Sequence, residues 1–260
     1  MRDLFSRTSH GSSLSLNIPS HKTKRDIKGL QEIEHLIQST ALQQDLSCPL
    51  VVGVDEAGRG PWAGPVVAAA VIFPFELSKD LAYGRVNAQT KRLQQLNDSK
   101  KLSEQRRLAL MEPISQLAIG IGVGIADPRE IEELNIMQAN YRAMRTAITE
   151  ALEQVKTAGL SSSLPHLVLV DGSHKIPKLS LAQEAIIKGD QRSYHIAAAS
   201  IIAKVTRDQI MQEADLEFPG YGFAQHKGYG TKAHQKALQE KGVCLIHRRN
   251  YKPIKALIDD

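Results

Sequence analysis

The chain has 260 residues, 42% of them hydrophobic and 23% charged, which is enough to bury a real core in one domain that carries appendages. The sequence has no apolar run near the roughly 20 residues that a membrane helix needs and no secretory signal after Met1, so we expect a cytoplasmic protein. Cys48 and Cys244 lie too far apart to suggest a disulfide framework or a zinc site, whereas the net charge of +5 suits a polyanionic partner.

The chain begins with a polar segment. Residues 1–47 include a serine-rich stretch, a basic cluster at residues 21–25 and a short amphipathic stretch over residues 27–42. We predict a partly disordered appendage with one short helix. The basic cluster could touch nucleic acid, although a solvated tail is the more frequent use of such a cluster.

Strand-like runs of Val, Ala and Ile begin at Leu50 and occupy residues 50–54 and 65–73. Their continuous apolar character predicts a sheet that is covered on both faces. The first run leads into the sequence DEAGRGP at residues 55–61. Neighbouring strand residues point to opposite faces, so Asp55 and Glu56 can share one metal only if the chain bends there, and glycines allow that bend.

The Gly-Arg-Gly turn after these acids has its own chemistry. Small residues allow the backbone to approach a phosphate or sugar closely, and Arg59 adds a planar donor fork for an anionic backbone. The alternative interpretation is a strand that ends in a loop with a solvated acidic pair.

Three further elements are predicted before residue 160. The loop at residues 97–103 ends in Ser103, which is placed to cap a helix. A third strand is predicted over residues 118–126. A long helical region, residues 129–156, follows with apolar side chains at three- and four-residue spacing and a break near Asn135.

The pattern of an apolar strand followed by a carboxylate occurs twice more, in LVLVDG at residues 167–172 and in EAIIKGD at residues 184–190. In an open sheet with helices on its faces, ligands gather where strand ends meet. Asp171 and Asp190 could therefore converge with the first acidic pair. Four carboxylates without His or Cys suit Mg2+ or Mn2+ rather than zinc.

Such an acidic cluster predicts phosphodiester hydrolysis. Two ions about 4 Å apart activate a water, stabilise the leaving oxygen and neutralise charge on the phosphate. Paired acids also serve in glycoside hydrolysis. That reaction needs one acid and one base and gives no role to the Gly-Arg-Gly turn. We therefore rank glycoside hydrolysis behind phosphodiester hydrolysis.

An alanine-rich helix is predicted over residues 193–208. Ser200, Lys204 and Asp208 recur on it at four-residue spacing. Lys204 could reach a phosphate or the carboxylates, with Asp208 as its tether, or the two side chains could simply form a surface ion pair.

A glycine- and aromatic-rich loop occupies residues 219–232. An exposed tyrosine between glycines could stack on a sugar or a base. Spacing alone leaves open whether Tyr221 or Tyr229 would do so, and structural packing remains the alternative for either ring.

Six segments, taken in order, resemble ribonuclease HII. They are residues 55–61 (DEAGRGP), 63–70 (AGPVVAAA), 98–103 (DSKKLS), 170–172 (VDG), 196–204 (IAAASIIAK) and 226–231 (HKGYGT). The resemblance covers roughly residues 50–250. It implies an α/β fold, with a ribonuclease-H-like mixed central sheet flanked by helices and a C-terminal helical extension. After the appendage at 1–47, it implies a catalytic domain at 48–215 and a substrate-gripping helical segment at 216–260.

The resemblance also implies the reaction and the partners. Members hydrolyse the RNA strand of RNA–DNA hybrids and nick on the 5′ side of single ribonucleotides in duplex DNA, leaving a 3′-hydroxyl and a 5′-phosphate. By this resemblance we expect two-metal-ion catalysis with Mn2+ or Mg2+, a part in ribonucleotide excision repair, no membrane partner and a monomeric protein.

The family's functional residues match positions of this chain. The metal-binding and catalytic acids match Asp55, Glu56, Asp171 and Asp190. The turn that senses the 2′-hydroxyl matches Gly58, Arg59 and Gly60, and the tyrosine that stacks on the adjoining sugar matches Tyr229. Lys100 and Lys204 are added as candidate substrate-binding residues.

The sequence departs from the family pattern at a few positions. Trp62 stands where an aliphatic residue is common, and Asn250-Tyr251 replaces the usual Ser-Phe. The sister family, ribonuclease HIII, usually carries Gly-Lys-Gly in the turn and a larger folded N-terminal domain, so it fits less well. A catalytically dead duplex-binding module and a general nuclease on the same fold are the remaining alternatives.

Overall fold

A five-stranded mixed sheet forms the centre of the fold in the computed structural model, which describes residues 14–16, 29–46, 48–96, 102–160 and 165–259. The strands are β1 (Val51–Ala57), β2 (Val66–Ile72), β3 (Gly120–Ala126), β4 (Leu167–Asp171) and β5 (Gln183–Ile186). Their spatial order is β3-β2-β1-β4-β5. Strand β2 is antiparallel to both of its neighbours, whereas β1, β4 and β5 run parallel.

Ten helices accompany the sheet in the described parts of the chain. They are α1 (Gln31–Gln43), α2 (Phe75–Ala82), α3 (Ala88–Leu93), α4 (Glu104–Leu117), α5 (Pro128–Leu134), α6 (Ile136–Thr157), α7 (Tyr194–Glu217), α8 (Phe223–His226), α9 (Lys232–Lys241) and α10 (Lys252–Asp259). A short 3-10 turn, Gly189–Gln191, joins β5 to α7. The mixed sheet flanked by helices agrees with the predicted fold class.

The sheet is covered on both faces, as its continuous apolar strands predict. Helix α6 packs on one face with Val52 and Val54 of β1, and helix α7 packs on the other with Ala69 and Val71 of β2. The helices approach closely where the strands carry glycine. A Cβ added to Gly122 would overlap the backbone of α6, so this position has no room for a side chain.

The predicted elements are confirmed, with differences at the acidic pair and at α7, which continues to Glu217 and so beyond the predicted end at residue 208. Strand β1 does not end before the acids, because residues 55–57 still pair with residues 67–69 of β2. The chain turns only at Gly58, where φ is +97°. The predicted break near Asn135 is also present. Its φ of +65° separates α5 from α6, and its side chain caps α6.

The first described helix and the last three helices pack against this core. Ile33 and Ile37 of α1 are buried with Val51 and Leu169 of the sheet. Helices α8 to α10 pack together at the C-terminal end of α7 around Phe223. The proposed boundaries at residues 47 and 215 stay a prediction, and the basic cluster at 21–25 lies outside the described residues. No described helix is long and apolar enough to cross a membrane.

Candidate active site

A cleft of about 630 Å³ opens where β1 meets its turn. Seven of the residues predicted from sequence line it, and they come from β1, the turn, α7 and the loop before α9. These are Asp55, Glu56, Gly58, Arg59, Gly60, Lys204 and Tyr229, joined by Ala57, Arg107, Ile136, Ser200 and Arg207. Lys100 lies outside the described residues.

The two remaining acids lie beside the cleft, at the ends of the parallel strands. Asp171 ends β4 and Asp190 lies in the 3-10 turn after β5. Asp55 is only 6% exposed. Its pKa is raised well above the usual value by burial first, and then by repulsion from Asp171, Glu56 and Asp190. The other three predicted acids therefore lie within electrostatic range of the buried Asp55 carboxylate.

Hydrogen bonds from backbone N–H groups link the end of β4 to the turn that follows β5. The Oδ1 atom of Asp171 accepts from the Gly189 N–H at 2.7 Å and from the Asp190 N–H at 3.4 Å. A Cβ on Gly189 would lie 2.5 Å from Ile196 Cδ1 and 3.2 Å from Asp171 Oδ1. The turn that carries Asp190 can thus approach β4 because glycine leaves room for it.

The donor set fits a hard divalent cation. Carboxylate oxygens are the ligands that Mg2+ and Mn2+ prefer, and a cation would relieve the repulsion that raises the pKa of Asp55. Among the residues that the structure describes, no three His, Cys, Asp or Glu side chains are already arranged as ligands of one ion. The four acids lie close enough to repel one another, but no three of them form a complete set of ligands for one ion.

Arg59 and helix α6 set the environment of Glu56. Burial raises the pKa of Glu56, and the Arg59 guanidinium, 3.3 Å from its Oε1, opposes that rise. A hydrogen bond from buried Asn140 opposes it as well. Arg59 Nη2 also donates to Met137 Sδ at 3.0 Å. Met137, one of the regularly spaced apolar residues of the predicted long helix, thus contacts the site.

Arg248, which sequence reasoning missed, fixes the Gly-Arg-Gly turn from behind. Its Nη2 donates to the Gly58 carbonyl at 2.5 Å and its Nη1 to the Arg59 carbonyl at 2.9 Å. The Tyr251 hydroxyl, at the position that departs from the family pattern, donates to the Arg59 carbonyl at 2.6 Å. Both carbonyls of the turn are therefore held by side chains from the C-terminal segment.

Arg207, on α7, is a second buried arginine beneath the turn. Its guanidinium donates to the carbonyls of Ala63, Pro65 and Lys227 at 2.9 to 3.1 Å. Burial lowers its pKa to about 10, so it stays charged at neutral pH. A Cβ on Gly58 would overlap this guanidinium. A buried arginine among apolar helix residues gives no clear sequence signal, because an exposed arginine would look the same.

Lys204 lines the cleft, and its Nζ lies 2.5 Å from Asp208 Oδ1. The ion pair with Asp208 is therefore formed, and contact of Lys204 with a phosphate stays a prediction. Asp208 also pairs with Arg107 of α4 at 3.5 Å. Burial lowers the pKa of Lys204, and Asp208 opposes that change. Asp208 thus pairs with two cations that line the cleft, one from α7 and one from α4.

The two candidate tyrosines have different surroundings. Tyr221 is 8% exposed, stacks on Phe223 and donates to the Gly242 carbonyl at 2.9 Å. Tyr229 is 46% exposed and lines the cleft. A Cβ on Gly60 would lie 3.8 Å from its ring. Tyr229 is thus the ring that is free to meet a ligand next to the turn.

Comparison with known proteins identifies relatives over most of the chain. The sequence model of the family described as ribonuclease HII matches residues 52–254. The chain is 41% identical to a ribonuclease HII of Acetivibrio thermocellus over 231 residues, which cover 88% of this chain and 80% of that one. It is 48% identical to a ribonuclease HII of Geobacter metallireducens, over 79% of this chain and 84% of that one.

A solved structure supports the fold. The crystal structure of the ribonuclease H2 from Pyrococcus horikoshii OT3 aligns with a TM-score of 0.58 and 24% sequence identity. The alignment covers 81% of this chain and 97% of that one. At this level of identity the likeness concerns the arrangement of the sheet and helices.

Proposed function

The chain belongs to the ribonuclease HII family, whose members are divalent-metal-dependent endoribonucleases that act on RNA–DNA hybrids, and from this membership we propose that it also nicks duplex DNA 5′ to a single ribonucleotide. The cut would leave a 3′-hydroxyl and a 5′-phosphate. The observation that carries the proposal is the buried Asp55, repelled by three other acids at the edge of a cleft that also holds the turn and Tyr229.

We assign Asp55, Glu56, Asp171 and Asp190 as the residues that would hold two Mn2+ or Mg2+ ions. When bound, such ions would activate water, stabilise the leaving oxygen and neutralise charge on the phosphate. The protein would contribute two acids from the end of β1, where Glu56 lies within electrostatic range of Asp55 although the strand does not bend between them. It would bring the others from the end of β4 and from the turn after β5. The backbone bond from Gly189 N–H to Asp171 Oδ1, at 2.7 Å, keeps one oxygen of that acid oriented.

Recognition of the ribose would fall to the turn and to Tyr229. Peptide planes are rigid, so the bonds that fix the carbonyls of Gly58 and Arg59 fix the orientation of the adjoining N–H groups as well. A fixed polar turn can contact a 2′-hydroxyl, the group that distinguishes RNA from DNA. The exposed ring of Tyr229, close to Gly60, would stack on the adjoining sugar.

Positive side chains would hold the phosphate backbone. Lys204 and Arg107 line the cleft on the side of α7, and basic side chains supply most of the affinity for nucleic acid. The segment at residues 216–260 would grip the duplex beyond the cut, as the family resemblance implies. Monomeric action, a cytoplasmic location and a part in ribonucleotide excision repair stay predictions.

The test uses labelled duplex DNA that holds one ribonucleotide, with an RNA–DNA hybrid and an all-DNA duplex beside it, in Mg2+ and in Mn2+. We expect cutting on the 5′ side of the ribonucleotide and no cutting of the all-DNA duplex. Asp171→Asn should lower the rate by at least about 100-fold. Cutting of all-DNA duplex would indicate a general nuclease, and binding without cutting would indicate a duplex-binding module.

Variants at Tyr229 separate ribose recognition from the chemistry. Tyr229→Ala removes a stacking ring and should lower kcat/KM on the single-ribonucleotide duplex about 5- to 150-fold, the equivalent of about 1–3 kcal/mol. Tyr229→Phe keeps the ring and serves as the matched control, with activity close to that of the wild type. Equal activity of both variants on this duplex would contradict the assignment.

A further inference from the structure

A buried carboxylate from the N-terminal helix lies against the first turn of α7. Glu34 has no exposed surface, although it belongs to α1. Its Oε1 accepts from the Ser193 hydroxyl and from the Tyr194 N–H, both at 2.9 Å, and lies 2.9 Å from His195 Nδ1. The first N–H groups of a helix have no partner within it, and an anion there is also favoured by the helix dipole. Glu34 therefore fixes the start of α7.

A second carboxylate of α1 fixes the preceding residue. Arg192 Nε donates to Glu32 Oε2 at 2.9 Å, and its Nη2 donates to Glu32 Oε1 at 2.8 Å. The backbone joins in, because the Ile33 N–H donates to the Arg192 carbonyl at 3.0 Å. Arg192 is only 7% exposed. Two parallel guanidinium–carboxylate bonds define direction as well as distance, so α1 holds both the backbone and the side chain of Arg192.

These contacts fall directly after Asp190. The N–H groups of Arg192 and Ser193 both donate to the Gly189 carbonyl, at 2.9 and 2.8 Å, which closes the turn around the acid. The first turn of α7 also packs closely on β1, because a Cβ on Gly53 would overlap His195. The start of α7 thus lies between β1, two residues before Asp55, and the carboxylates of α1.

We propose that Glu32 and Glu34 are positioning residues that set Asp190 against Asp55 and Asp171, so that the N-terminal helix is part of the catalytic unit. The proposal rests on the proposed function, in which Asp190 helps to hold the metal ions. Neither glutamate lines the cleft. Both act through a short span of backbone, because Arg192 lies two residues after Asp190 and Ser193 lies three after it.

In the alternative to this proposal, α1 stabilises the fold but does not affect the metal site. The test therefore measures Mn2+ binding by calorimetry without substrate, kcat and KM on the RNA–DNA hybrid, and the melting temperature. All binding and rate measurements are made well below the melting temperature of each variant. Partners behind metal ligands typically change metal affinity or activity 10- to 100-fold when removed.

We expect Glu34→Ala to weaken Mn2+ binding and to lower kcat by about 10- to 100-fold each, with KM within about twofold of the wild type. Glu34→Gln keeps an oxygen that accepts from the same N–H groups and should recover most of the loss. Glu32→Ala, whose side chain is nearer the surface, gives the same pattern if Glu34→Ala fails to fold. Glu76→Gln on exposed α2 is the matched control and should change nothing.

Two outcomes separate this inference from the proposed function. If Glu32→Ala and Glu34→Ala melt at lower temperature but keep wild-type Mn2+ affinity and kcat, while Asp190→Asn loses both, the positioning role is wrong and the metal site stands. If Asp190→Asn itself binds Mn2+ and cuts hybrids as the wild type does, the assignment of Asp190 is wrong and the positioning role is lost with it.

Discussion

Asp55→Asn should stabilise the metal-free protein while abolishing its activity. Burial and three neighbouring acids raise the pKa of Asp55. A carboxyl with a raised folded-state pKa favours folding below its ordinary pKa, and this contribution is lost as the pH rises towards the folded-state pKa. At neutral pH the ionised side chain therefore destabilises the fold. The amide removes the charge, and its oxygen can still accept the 2.7 Å bond from the Glu56 N–H.

The size of the effect follows from the cost of an ionised carboxylate that is buried beside three other acids. A buried polar group without a compensating partner costs about 1–3 kcal/mol, and a charged group costs more. We expect the free energy of unfolding in EDTA to rise by about 1–3 kcal/mol, and the melting temperature by about 2–12 °C for a chain of this size. Mn2+ at 100 times its Kd should stabilise the wild type by about 3 kcal/mol and the variant much less. The stability advantage of Asp55→Asn over the wild type should therefore shrink or reverse in Mn2+.

Calorimetric or fluorescence melting with EDTA and with Mn2+ measures both effects. Glu76→Gln, an exposed acid on α2, is the control and should shift neither curve. If Asp55→Asn melts at or below the wild-type temperature in EDTA, burial and the neighbouring acids do not destabilise the ionised Asp55 as described. Equal stabilisation of wild type and variant by Mn2+ would show that Asp55 does not hold the ion.

Three further predictions concern the turn and the helices behind it. Gly58→Ala forces a side chain onto a backbone with φ of +97° and into the buried guanidinium of Arg207. Chemical denaturation should therefore show that the free energy of unfolding falls by about 2–4 kcal/mol. Gly60→Ala is the control, because its new Cβ meets nothing closer than 3.8 Å, and it should keep wild-type stability. Tyr251→Phe removes the hydroxyl that lies 2.6 Å from the Arg59 carbonyl and should lower the free energy of unfolding by about 0.5–1.5 kcal/mol. An unchanged free energy of unfolding would mean that water fully replaces the hydroxyl as the partner of that carbonyl. Burial lowers the pKa of His234 and His247 to about 4, below the ordinary 6.5, so their contribution to stability is complete above pH 6.5 and is lost towards pH 4 at up to about 1.4 kcal/mol per pH unit for each ring; urea titrations across this range should lose the contribution of one ring in the variant His247→Asn and keep that of His234.

Strand and helix positions were predictable where a local pattern decides them. Continuous Val and Ala runs predicted β1 and β2, and Ser103 as a capping residue predicted the start of α4. The extension of β1 through Ala57 was not predictable, because pairing with β2 keeps the acids within the strand. Pairing across a sheet is set by tertiary structure and leaves no mark on the strand's own sequence.

The site was predictable to the extent that its residues fall in distinctive local sequences. The acids follow apolar strands, and glycines mark the turn. The residues that hold these groups in place were missed. Arg207 and Arg248 look like ordinary surface arginines in sequence, and Glu34 looks like a solvated acid of an amphipathic helix, yet all three are buried. Their partners are backbone atoms or distant side chains, so only the folded chain reveals them.

The number of metal ions bound to the four acids tests the central claim most directly. Mn2+ can be titrated by electron paramagnetic resonance of the free ion, with a single-ribonucleotide duplex that carries a phosphorothioate at the scissile linkage to slow cutting. We expect two ions per wild-type chain, and fewer or much weaker ions in Asp55→Asn and Asp171→Asn. Wild-type stoichiometry and affinity in both variants would contradict a metal centre built from these carboxylates.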